Sequence, residues 1–115
     1  VIWIDVEDIS ASEKDFRTAF SSAVNRIRRV DAKAKISVLT PFVSPRDGEL
    51  CKKVTLFSKI CEQVSAQNKV QCLNQIASLK LTDSDAAKYF SEGSVLSENG
   101  YALLAAKQVE FFSKM

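Results

Sequence analysis

An α/β fold with three layers, a parallel sheet between helices in the order βαβαβα, is what this sequence predicts. Three observations carry the prediction. Short apolar runs of strand character alternate with helical stretches along the whole chain. The first helical stretch holds an apolar stripe at three- and four-residue steps, the period of an amphipathic helix. No tight hairpin signal separates the strands, and strand–helix–strand order of this kind packs as right-handed βαβ units.

The elements follow in order. Val1 to Val6 is an apolar segment of the kind a buried parallel strand requires. Ser12 reads as an N-cap, with Glu13 and Asp15 placed to favour the positive end of the helix behind it. That helix draws its stripe from Phe16, Ala19, Phe20, Ala23, Val24, Ile27 and Val30, leaving Arg17, Ser21, Asn25 and Arg28 on the other face. Lys35 to Leu39 forms the second strand, stopped by Thr40-Pro41, and the Pro and Gly up to Asp47-Gly48 mark a loop. Leu50, Val54, Phe57, Cys61 and Val64 then define a second amphipathic helix, widened by Leu56 and Ile60. Lys69 to Leu73 is a weaker third strand, and Asn74 to Leu81 fits a loop or a short helix equally. One or two helical turns follow over Asp83 to Phe90, capped by Thr82 or Asp83. A last helix runs from about Asn99 to Phe112, apolar over so much of its circumference that burial against a sheet is expected.

Composition bounds the function classes. The 115 residues suit a single domain, 1–115, and 46% hydrophobic with 26% charged residues suits a folded core. A net charge of +2 is too small to argue for a polyanionic partner by itself. The longest apolar run, Tyr101 to Ala106, falls far short of a bilayer span, so no membrane is expected. Cys51 and Cys61 share a predicted helix, and ten residues of separation put them about 15 Å apart, beyond disulfide reach. With no Cys-x-x-Cys and no histidine, a zinc site lacks its usual ligands; reduced thiols in a cytoplasmic protein, with no metal and no cofactor, are the expectation. The opening in mid-strand without an initiator Met reads as an excised piece of a longer chain.

The segment Glu92-Gly93-Ser94-Val95-Leu96-Ser97-Glu98-Asn99-Gly100-Tyr101 is the most informative in the chain. It is similar to the C-terminal block of SGNH (GDSL-type) hydrolases, roughly D-G-x-H-L-(S/N)-x-x-G-Y, which leads into their final helix. Gly93, Leu96, Ser97, Gly100 and Tyr101 match, while Glu92 stands in place of the family's Asp and Val95 in place of its His. The opening strand resembles the family's strand into G-x-N-D only at Asp8, with Asp5 replacing the Gly and Glu7 the Asn. Ile36 to Pro41 is similar to the family's strand ending in (T/S)-P. The resemblance implies an SGNH (flavodoxin-like) fold whose first strand and nucleophile segment, with its G-D-S block, lie upstream of Val1. The sheet edge this leaves on Val1 to Val6 is open to self-association.

The same resemblance implies lost catalysis. Serine acyl transfer needs a base, which Val95 cannot be, and no other histidine exists in the chain. Carboxylates at Asp5 and Glu7 repel the negative charge an oxyanion hole must stabilise. Pairing of Glu92 with Asp83 and Asp85, or of Glu7 with Asp8, for acid–base work competes with ordinary capping and solvated-face roles. A divalent-metal set of Asp5, Glu7 and Asp8 is weakened by strand alternation, which turns Asp8 away from the other two. What the resemblance leaves is a pseudo-hydrolase that binds protein or RNA within a larger assembly. A diverged esterase or lipase-type hydrolase with catalytic groups outside this segment is the second hypothesis. The basic cluster Arg26, Arg28, Arg29, Lys33 and Lys35, with Lys52 and Lys53, is the candidate for gripping phosphates. The competing role for these cations is to complement a helix C-terminus.

Overall fold

The computed structural model describes residues 1–4, 12–93 and 95–114, apart from the side chain of Asp83. The chain is a mixed α/β structure with a small parallel sheet. Its elements are β1 (Ile2–Trp3), α1 (Glu13–Val30), β2 (Ser37–Leu39), α2 (Gly48–Gln67), β3 (Gln71–Leu73), α3 (Gln75–Leu79), a 3-10 turn (Asp83–Asp85), α4 (Ala86–Tyr89), β4 (Phe90–Glu92), β5 (Val95–Leu96) and α5 (Glu98–Ser113). The sheet order is β1-β2-β3, with Ile2 opposite Val38 and Val38 opposite Cys72. On the far side of β1 from β2 no strand pairs among the described residues.

Alternation along the strands decides which side chains are buried. Ile2, Ile4, Ile36, Val38, Val70 and Cys72 point to one face, where Phe16, Phe20 and Val24 of α1 and Phe57, Cys61 and Val64 of α2 close over them. Two crossovers in the same direction thus put both helices on one side of the sheet. Each fully buried aliphatic or phenyl side chain there contributes about 1.5–3 kcal/mol, and Phe16 meets Phe57 edge to face with ring centroids 4.7 Å apart. The alternate residues Trp3, Ser37, Leu39, Gln71 and Leu73 point the other way, and Trp3 is 54% exposed.

The first helix begins where its cap predicts, with the Ser12 hydroxyl accepting from the Asp15 amide. Its polar side is not a solvated face throughout. Arg17 donates to Gln63 and Gln67, Ser21 accepts from Asn68, and Arg28 reaches the Lys69 carbonyl, so three of the four residues on the face away from the stripe lace α1 to the end of α2. Val30 ends the stripe 91% exposed, because α1 runs past the sheet before it stops. Leu56 is likewise exposed.

The second half departs further from expectation. Asn74 caps a short helix, α3, by accepting from the Ala77 amide. β4 and β5 then pair antiparallel, a hairpin with a bulge between Phe90 and Glu92 that sequence patterning did not predict. Two- and three-residue strands carry no measurable period, and the turn is signalled only by Gly93, whose φ of +57° suits glycine. The last helix meets the hairpin sheet, with Leu104 against Phe90 and Leu96, but much of its apolar surface is not buried. It packs on α3 and α4 through Gly100 and Leu104, and leaves Tyr101, Val109 and Phe112 exposed. Its small core consists of Leu79, Phe90, Leu96 and Leu104.

A buried polar junction fastens this half to the sheet. Gln75 is fully buried; its backbone and side-chain amides donate to the Thr40 hydroxyl and carbonyl, and its carboxamide oxygen accepts from Gln108 of α5 at 2.7 Å. Every polar atom of the Gln75 side chain is thereby engaged, as a group removed from water requires.

Candidate functional site

The residues carrying the hydrolase resemblance have local structural reasons to be what they are. Gly93 takes a left-handed backbone, Leu96 is buried, and Ser97 caps α5 by accepting from the Gly100 amide while donating to the Lys88 carbonyl. A Cβ on Gly100 would lie 2.1 Å from the Tyr89 carbonyl oxygen, so no larger residue fits there. Glu92 and Val95 face each other across the hairpin register, both exposed, Val95 at 58%. Asp5, Glu7 and Asp8 lie outside the described residues, as does the side chain of Asp83. The Asp85 carboxylate accepts from the Thr82 amide and hydroxyl, and these two bonds, with Lys88 nearby, hold it below the ordinary carboxylate range. That is a capping role. No group of three or more candidate metal ligands occurs among the described residues.

Cys72 is not poised for nucleophilic chemistry. No disulfide joins Cys51, Cys61 and Cys72. Burial pushes the Cys72 thiol up to about 11, with the Glu62 carboxylate adding to the shift and a hydrogen bond with Ser65 opposing it. A thiol in that state is protonated at neutral pH and inert.

The basic residues behave differently, and the structure divides them. α1 and α2 both run against the strands, so Arg28 and Lys35 come to the end of the sheet where β2 and β3 begin. Lys52 and Lys53 sit at the opposite end of α2, about 24 Å along its axis from Asn68 at 1.5 Å per residue. Arg26 and Arg29 are exposed on α1, and Lys33 is exposed in the turn where its amide donates to Asp31. A cleft of about 270 Å³ opens between the first group, lined by Arg28, Ala34, Lys35, Ile36, Lys69 and Gln71. Three cations and, among the described residues, no acid line it.

Lys69 was missing from the sequence-based set, and its placement is the most constrained. The end of α2 is a Schellman turn, with the Val70 amide on the Ser65 carbonyl and the Lys69 amide on Ala66. The residue after the cap takes a left-handed backbone, usually glycine; here it is lysine, with φ +58°. Asn68-Lys69 between a helix and a strand is the available sequence signal, since asparagine often precedes such turns. The Arg28 guanidinium donates to the Lys69 carbonyl at 3.3 Å and holds the turn beside the cleft. Among the described residues no helix is long and apolar enough to cross a membrane. No family model, curated protein or solved structure matches this chain.

Proposed function

We propose that this chain is a non-catalytic binding module, SGNH-like in its three-layer plan, that contacts RNA within a larger assembly. The carrying observation is the cleft at the start of β2 and β3, where Arg28, Lys35 and Lys69 surround a concave surface with no acidic lining among the described residues. Phosphate groups bind such a surface by displacing counterions, an interaction that needs cations grouped in space, not a high net charge. Arg28 adds a planar fork suited to phosphate oxygens. The exposed Arg26, Arg29 and Lys33 extend the positive field around the mouth. Val95 and Glu92, standing where a hydrolase of this type has its base and acid, support the non-catalytic part of the reading.

The test is fluorescence anisotropy with a single-stranded RNA, comparing the chain with its Arg28→Gln/Lys35→Gln variant over a salt series. The slope of log affinity against log salt is expected to flatten by about 0.7 for each cation removed. Identical slopes and affinities would overturn the RNA assignment. Hydrolysis of short-chain nitrophenyl esters by the chain would overturn the non-catalytic one.

A further inference from the structure

We infer that the cleft between α3 and α5 is a second contact for the same RNA strand, taking a nucleotide with its phosphate on lysines and its base against Phe111. The inference rests on the RNA-binding reading above and extends it to a site that sequence did not suggest. This cleft, about 280 Å³, is lined by Leu73, Lys80, Lys107, Glu110, Phe111 and Lys114. Three ammonium groups there face one carboxylate, and Glu110 is partly engaged by Lys114 at 3.5 Å. The ring of Phe111 stands half-buried in the lining. A cationic groove with an aromatic face is the arrangement by which single-stranded nucleic acids are held without regard to sequence.

Two observations join this cleft to the first. The first is continuity. Gln71 lines one cleft and Leu73 the other; two residues apart on β3, they point to the same face, roughly 7 Å from each other. Of the chain's 16 lysines and arginines, six line these two clefts, against one of its 14 acids. Six cations thus line two clefts that share strand β3.

The second observation is backbone strain. Among the described residues, the non-glycine positions with positive φ are Lys69 and Lys80, at +58° and +50°. One lines each cleft. Glycine is the least strained residue at both positions, and asparagine the next. Lysine contributes nothing to such a turn beyond its ammonium group.

The strain makes the test clean, because Lys80→Gly removes the charge while relieving the backbone. The full chain is titrated against a single-stranded RNA of about 12 nucleotides, within the span such grooves accommodate. Lys80→Gly/Lys107→Gln/Lys114→Gln is expected to keep or raise the melting temperature and to flatten the salt slope by about two. Phe111→Leu is expected to lose about tenfold in affinity for RNA and nothing for inorganic polyphosphate, which has no bases to stack. Unchanged RNA binding in the lysine variant, with binding still lost in Arg28→Gln/Lys35→Gln, overturns the second contact and leaves the first cleft standing. Equal losses of RNA and polyphosphate in Phe111→Leu overturn the stacking role. No RNA binding by the unaltered chain overturns both clefts together.

Discussion

The two halves of this chain are held by different means. The first, β1 through β3 with α1 and α2, has a hydrophobic core of nine interlocked residues, with the small polar side chains of Ser58 and Ser65 also buried on α2. The second, α3 through α5 with the hairpin, has a core of four residues and depends on single fitted contacts: Ser97 on Lys88 and Gly100, Gly100 against Tyr89, Gln75 between Thr40 and Gln108. Burial of many similar side chains tolerates exchange among them; a few stereospecific contacts do not. The halves should therefore fail differently.

The largest effect is expected in the first half. Phe57→Ala removes the edge-to-face partner of Phe16 and opens a cavity in a closed core, lowering stability by about 3–5 kcal/mol. Urea unfolding followed by circular dichroism and by Trp3 fluorescence should shift as one transition; separate midpoints would mean that the halves unfold independently. Gly100→Ala tests the second half. Its methyl group would also lie 2.9 Å from Leu96, and relief requires α5 to move from the Tyr89 carbonyl at about 1–3 kcal/mol. Amide exchange should rise across α5 and the hairpin while α1 and α2 stay protected; uniform loss would erase the distinction. The smallest effect is on Cys72. Its thiol, normally near 9.0, is raised to about 11, so between these values the unfolded chain gives up a proton that the folded chain keeps. Stability is full below about pH 9 and falls as pH rises towards 11. At pH 8 the thiol should alkylate about 100-fold more slowly than an unburied cysteine; equal rates would show that this edge of the first core is open.

The same contrast explains what the sequence made legible. Phe16, Phe20 and Val24, or Val54, Phe57, Cys61 and Val64, repeat often enough for a helical period to be recognised, and Ser12 announces the helix start. The mixed α/β order over β1 to β3 follows from these. The hairpin was not legible because two strands of two and three residues hold no period, and its residues Gly93 to Tyr101 were legible only as a family resemblance. The last helix misled for the opposite reason: Tyr101, Val109 and Phe112 are apolar yet exposed, and composition alone does not tell an inner face from an outer one. Of the first cleft, Arg28 and Lys35 stood close in sequence and were found together. Lys69 joins them only after α2 has crossed back, and Lys80, Lys107 and Lys114 share a cleft only after α5 has docked.

The junction of Thr40, Gln75 and Gln108 also sets an order of completion. Gln108 follows Gln75 by 33 residues, which at 5–20 residues per second takes a ribosome roughly 2–7 s. Through that interval the Gln75 carboxamide can be bonded on its amide side to Thr40, while its oxygen waits in contact with water. The arrival of α5 supplies the last donor and shuts water out. The cleft between α3 and α5, too, is complete only once α5 has docked.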